Sequence, residues 1–155
     1  MTQPLKEKNF FEDFEVGYTF TTEVPGLTVT EIIEFARQYD PHPFHLDEDE
    51  AAASHFGGLI ASGLQTQLLC FRPFCQEVLV QSQAIGAPGI DDLKWLRPWY
   101  PGEPLEVSVT LVDKRLSTKR KDRGYLNFKL RASVSQVPTM TMDWVVIMLT
   151  KNSDG

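Results

Sequence analysis

The residues with chemical potential crowd into Tyr39-Asp40-Pro41-His42-Pro43-Phe44-His45, where one carboxylate and two imidazoles stand among two prolines. A carboxylate beside an imidazole is a natural acid/base pair, because imidazole takes up and releases protons near neutral pH. Proline fixes its own backbone torsion, which lowers the cost of ordering such a loop, and an extended, proline-bracketed segment can arch Asp40 and His45 toward one point. The same residues also have a purely structural reading, with Asp40 capping a turn and His45 filling a polar niche. His42 and His45 form an H-x-x-H pair beside Asp40 and Asp47, and these donor types suit zinc or a similar ion. Only His55 offers an evident further ligand, and no metal is expected.

The elements that must position this loop are readable on both sides of it. Thr28 stands three residues before Glu31 as a capping box, and Ile32, Phe35, Ala36 and Tyr39 recur at helical spacing. This helix should end near Tyr39, because Pro41 pushes Asp40 toward extended geometry. A second short helix is expected from Asp47, with Glu50 as its capping partner, to Gly57-Gly58. A third begins at Ser62-Gly63-Leu64-Gln65 and carries Leu64, Leu68, Leu69, Phe71 and Cys75, an apolar set that predicts a buried helix. Pro73 predicts a kink or break, with a ragged continuation toward Gln81. Gly63 falls in the first turn of this helix, where an N–H lacks an intrahelical partner and the helix dipole favours negative charge. Having no Cβ, it admits a ligand closely. Its structural alternative is a tight packing point between helix and sheet.

Around Tyr18, Phe20 and Thr22 the alternation predicts a first strand that ends before Pro25-Gly26. From Gly89 onward the period becomes two. Leu105, Val107, Val109 and Leu111 share one strand face, and Leu126, Phe128, Leu130, Ala132 and Val134 share another. Thr139 to Thr150 is apolar on both faces, as a central or doubly covered strand would be. Ser117 to Gly124 reads as a polar hairpin tip. One strand, then helices, then a run of strands implies an α+β fold in which an antiparallel sheet wraps the apolar helix.

A chain of 155 residues with 42% apolar content suits one sizeable core, and a single domain over residues 1–155 is expected. A net charge of −6 offers no overall basic surface for nucleic acid or an anionic membrane. The N-terminal stretch lacks the apolar run of a signal peptide, and no window approaches a membrane span, so a cytoplasmic location is expected. Cys70 and Cys75, the two cysteines, point to different sides of a helix and read as reduced core thiols.

Taken together, Asp40 to His45, the Ser62-Gly63-Leu64 helix start and the run Leu96 to Val107 (LRPWYPGEPLEV) resemble the MaoC-like acyl dehydratases and (R)-specific enoyl-CoA hydratases of the hotdog fold. The likeness covers nearly the whole chain. Its most specific part is the family's D-x-N-P-x-H motif, which Asp40, Pro43 and His45 match. His42 replaces the asparagine, and Tyr39 replaces the glycine that usually precedes the aspartate. The resemblance implies reversible addition of water to an enoyl thioester without a cofactor. Asp40 and His45 would share the proton transfers, and the Gly63 N–H would hold the thioester carbonyl as it becomes an enolate. Ser62, His42, Phe44 and Arg97 are the expected substrate-binding residues. A serine that some members carry two turns beyond the glycine is replaced here by Phe71.

The implied substrate is an acyl chain on CoA or on acyl carrier protein, and the implied unit is a homodimer or a higher homo-oligomer with its active site near the interface. Arg97 faces either a dimer partner or the carrier. Lys119, Arg120, Lys121 and Arg123 suit carrier phosphates, or else form a solvated hairpin tip. Two rival functions stand beside hydration. One is a non-catalytic acyl-thioester binder or structural subunit of a heteromeric dehydratase. The other is a hotdog thioesterase, for which Glu77 is the nearest acid on the central helix stretch.

Overall fold

The computed structural model describes residues 8–154. Residues 1–7, which open the stretch read as carrying no signal peptide, lie outside the described residues. The chain forms β1 (Thr19–Val24), α1 (Val29–Tyr39), α2 (Pro43–Leu46), α3 (Glu48–Ala53), α4 (Gly63–Phe74), β2 (Ala84–Trp95), β3 (Leu105–Leu116), β4 (Arg123–Val134) and β5 (Val137–Leu149). All strand pairs are antiparallel, in the order β1-β3-β4-β5-β2. Strands β3, β4 and β5 make a meander, while β1 and β2 close its two edges. This is the expected α+β architecture of the hotdog type, with the sheet curled round α4. No described helix is long and apolar enough to cross a membrane.

Period-two patterning sends one face of every central strand into the core. Val107, Val109 and Leu111 of β3, Leu126, Phe128 and Leu130 of β4, and Met140, Met142 and Met148 of β5 are buried, and they meet Cys70, Phe74 and Val78 from the helix side. Across the sheet, Phe74 packs on Phe128 with ring centroids 5.0 Å apart. Cys70 is fully buried and its thiol is pushed up to about 12 by that burial, so it stays protonated and unreactive. Both cysteines are free.

Four local expectations are corrected. The expected extended loop ends at His42: Pro43 to Leu46 form the short helix α2, with Pro43 in its first turn, where a missing N–H costs nothing. Helix α3 stops at Ala53, before Gly57-Gly58, because Ser54 takes extended torsions. At Pro73 the backbone does not break: α4 runs to Phe74, and the expected ragged continuation takes the form of a π-helical turn over Cys75–Leu79. Finally, α4 is buried on one side only, through Gln65, Thr66, Cys70 and Phe74. Leu64 and Leu68 are about half exposed, because this face looks out beside the open edge of β2.

The S-x-x-Q box is only half formed. Ser62 Oγ accepts from the Leu64 N–H, while Gln65 donates instead to the Glu31 carbonyl of α1. That cross-link ties the start of α4 to the start of α1, the two helices whose ends carry the site.

Candidate active site

Asp40 caps the C-terminus of α1, its N–H donating to the Ala36 carbonyl, and its carboxylate is the hub of the site. On one side, His42 Nδ1 donates to Asp40 Oδ1 at 2.5 Å. On the other, Ser62 Oγ donates to Oδ2 at 2.7 Å, and His45 Nε2 stands 3.3 Å from the same oxygen. Ser62 belongs to the N-cap of α4, so one hydroxyl both starts that helix and aims the carboxylate.

The two imidazoles differ in setting. His45 is buried and His42 is exposed. His45 Nδ1 lies 2.7 Å from the Ile60 carbonyl, which can only accept, so Nδ1 carries a proton. In neutral His45 the Nε2 lone pair therefore faces Asp40, and one added proton turns Nε2 into a donor toward it. A single proton between Nε2 and Oδ2 can move to either group. Burial pushes the Asp40 carboxyl up, but the hydrogen bonds from His42 and Ser62, aided by the charge of the two imidazoles, outweigh it and hold the carboxyl below its usual range.

A group depressed on folding stabilises the protein above its unfolded value and loses that contribution as pH falls through the folded value. The stability gap between the native chain and Asp40→Asn is therefore expected to narrow as pH falls below about 3.8, the ordinary value for this group. Thermal unfolding of both proteins at pH 7 and pH 3 checks this, and a gap that stays constant contradicts it.

A cavity of about 390 Å³ opens over Asp40 and His45. It is lined by Phe44, Phe56, Ile60 and Ala61, by Trp95 to Trp99, and by Gly63, Leu64 and Thr66. Of the expected site residues, Asp40, His45, Gly63, Phe44 and Arg97 line it. Ser62 and His42 are not among the lining residues: Ser62 is fully buried behind Asp40, and His42 stacks on Phe44 toward solvent. Both act on Asp40 in this structure rather than on the space a substrate would occupy. Phe71 also lies off the cavity, stacked on Trp144 at 4.3 Å.

The Arg97 guanidinium is engaged within the chain. Its Nη1 and Nη2 donate to the two Glu103 carboxylate oxygens at 2.8 and 2.7 Å. The thioesterase candidate, Glu77, is exposed on the π-helical turn and does not line this cavity. Asp40, His42 and His45 present donor atoms within 4.8 Å of one another. Asp47 instead caps α3, and His55 packs at a tilt against Phe56.

Two residues escaped the sequence reading. Trp95, the last residue of β2, donates its indole N–H to the Gly63 carbonyl at 2.8 Å and covers that glycine closely. Glu103 holds Arg97. A carboxylate six residues from an arginine was a visible signal for the second, but nothing local linked Trp95 to Gly63.

The sequence profile of the MaoC like domain matches residues 13–127. The chain is 30% identical over 119 residues to the uncharacterized protein YdeM of Bacillus subtilis (strain 168), covering 77% of this chain and 83% of that protein. Among solved structures, the MaoC-like dehydratase from Rhodospirillum rubrum superposes with a TM-score of 0.83 at 31% identity, covering 92% of this chain and 97% of the other. The (R)-hydratase from A. caviae involved in PHA biosynthesis shares the fold, with a TM-score of 0.71 at 23% identity over 87% of this chain and 97% of the other.

Proposed function

Because the chain belongs to the MaoC-like dehydratase family, we propose that it is a hydro-lyase that reversibly adds water to a trans-2-enoyl thioester, giving a 3-hydroxyacyl thioester, with CoA as the carrier. The single observation that carries this reading is the Asp40–His45 pair, one carboxylate oxygen 3.3 Å from one imidazole nitrogen, at the wall of an apolar-sided cavity next to the first turn of α4.

In this reading the water oxygen bonds to C3 while one of its protons passes to the Asp40–His45 pair. The C2=C3 electrons move into the thioester, whose oxygen becomes an enolate facing the Gly63 N–H, the donor with no intrahelical partner. A proton from the same pair then closes C2. Dehydration runs these steps backwards, and no group outside the chain is needed to balance them. Ser62 keeps the Asp40 carboxylate aimed, and Phe44 and Phe56 supply the apolar wall that excludes bulk water.

The protein would act as one MaoC-like domain in the cytoplasm and as at least a homodimer. The half-exposed Leu64, Leu68, Trp95 and Leu96 beside the open edge of β2 support the second copy. The deciding experiment incubates the purified protein with a short trans-2-enoyl-CoA and identifies products, with and without a chelator. A 3-hydroxyacyl-CoA formed in both samples is the expected result. Release of free CoA would establish a thioesterase, and no turnover would favour a binding or structural subunit.

His42→Asn, which restores the residue type of the family motif, is expected to retain appreciable activity. An asparagine amide can still donate to Asp40 Oδ1, although it cannot carry an extra proton. Steady-state kcat/KM on the same substrate checks this. A loss as deep as that of a His45 variant would make His42 a participant in the proton transfers.

A further inference from the structure

Glu103 lies outside the acid/base machinery, yet its carboxylate accepts three hydrogen bonds beside the cavity. Its two oxygens accept from Arg97 Nη1 and Nη2, and one of them also accepts from the Tyr100 N–H at 3.1 Å. Its backbone carbonyl accepts the indole N–H of Trp99 at 2.7 Å. Arg97 Nη1 donates in addition to the Pro98 carbonyl, so the guanidinium staples its own loop. One side chain and one carbonyl of the same residue therefore fix Arg97, Tyr100 and Trp99, two of which line the cavity.

This stretch is bonded to residues 56–61 at two points. The Trp99 carbonyl accepts from the Ala61 N–H at 2.9 Å, and Tyr100 donates its hydroxyl to the Phe56 carbonyl at 2.7 Å. Ala61 immediately precedes Ser62, whose hydroxyl holds Asp40, and Gly63, whose N–H faces the enolate position. Phe56 packs on Phe44, which packs edge-on against His45. On the route through Trp99, Ala61 and Ser62, every link from Glu103 to Asp40 is a hydrogen bond of ordinary length or a step along the chain.

We propose that Glu103 is a positioning residue for the hydration reaction, holding the 96–103 wall through Arg97 and Trp99 so that Ala61, Ser62 and Gly63 keep Asp40 and the enolate donor in register. The inference rests on the hydratase reading of the site. It assigns Arg97 a scaffolding task in place of carrier recognition, since its fork is filled by Glu103.

The test compares Glu103→Gln, Glu103→Asp and Ser62→Ala, singly and with Glu103→Gln and Ser62→Ala combined, measuring kcat and KM together with hydrogen exchange of the Ala61 amide and the Trp99 indole N–H. Glutamine keeps the size but loses the charged fork, and is expected to lower kcat/KM by about 10²-fold, the scale of a 1 Å misplacement. Faster exchange at Ala61 and Trp99 should accompany the loss, and aspartate should restore part of both. Because Glu103 acts through Ser62, the double variant should fall by less than the product of the single losses.

Native kcat/KM in Glu103→Gln, unchanged exchange at Ala61, or fully multiplicative losses would overturn the proposal. Should Glu103→Gln fail to fold, Arg97→Lys, which keeps the charge without the fork, must show the same faster exchange and partial loss of kcat/KM, and native values there overturn the proposal equally. Failure of the unaltered protein to hydrate enoyl-CoA would sink the hydratase reading itself, an outcome distinct from normal turnover that Glu103→Gln leaves untouched.

Discussion

Asp40→Asn is expected to lower kcat/KM for enoyl-CoA hydration by about 10²–10⁴-fold, the usual worth of a general acid/base group, in protein that still folds. Asparagine keeps the shape of the side chain, and its amide can still bond to one of the donors around it. It cannot accept the proton that leaves water. His45→Ala should lose activity on the same scale, but with a second effect. It leaves the buried Ile60 carbonyl without its imidazole donor, and an unpaired buried group costs about 1–3 kcal/mol, so its Tm should fall while that of Asp40→Asn at neutral pH falls less. In the proposed mechanism one proton is shared across the 3.3 Å gap, so the pair would work as a unit, and the double variant is expected to be little worse than either single one. Steady-state kinetics beside circular dichroism read all three. Near-normal turnover by either folded single variant would remove that residue from the mechanism.

The second large effect is expected at Gly63, and the structure dictates how it must be measured. A Cβ on Gly63 would stand 2.5 Å from Cε2 of Trp95, far inside contact distance. Alanine is therefore no neutral control: it must displace the indole, and overpacking of this kind typically costs about 1–3 kcal/mol. Gly63→Ala and Gly63→Pro should both be strongly impaired in the native background. Removing the obstacle first, with Trp95→Ala, separates space from hydrogen bonding. In that background alanine retains the N–H and proline lacks it, while proline remains acceptable at a first helical position. The alanine variant should exceed the proline variant in kcat by about 10²–10³-fold, the effect of losing one oxyanion donor. Equal activities there, with equal substrate affinity, would show that another group holds the enolate.

What the sequence made legible follows the range of the forces involved. Helix α1 was readable because its signals are local: Thr28 and Glu31 do form the reciprocal cap, and Ile32 and Ala36 do face the core. Strands β3 and β4 were readable because one buried face imposes a period of two along their length. Strand β2 was recognised only from Gly89 onward. The whole of Ala84 to Trp95 is an edge with no buried residue and with register shifts along its length, and such an edge carries no alternating burial to read. The same distinction holds at the site. Asp40 and His45 lie close in sequence and were paired at once, whereas the Ser62 hydroxyl on Asp40 spans 22 residues and the Trp95 indole on Gly63 spans 32. Such contacts are made by the tertiary fold. Helix α4 misled for a related reason: Leu64 and Leu68 announce an apolar face, but sequence alone does not say whether that face meets the chain's own core.

The sheet order has a consequence for how the site can fail. Asp40 to Gly63 lies wholly between β1 and β2, the strands that close the two edges of the β3-β4-β5 meander. Strand β1 joins β3 across long separations, as in the contact between the Thr19 and Thr110 hydroxyls, 91 residues apart. The meander consists of neighbours in sequence and can stay paired when an edge peels away, while the segment with the acid/base pair belongs to the helical connection that joins the two edge strands. Loop-closure entropy works against the pairing of those edges, and fraying edges open at lower free energy than the centre of a sheet. The proposed machinery thus sits between the edges that partial opening releases first, and activity is expected to be lost on mild denaturation before the core itself dissolves.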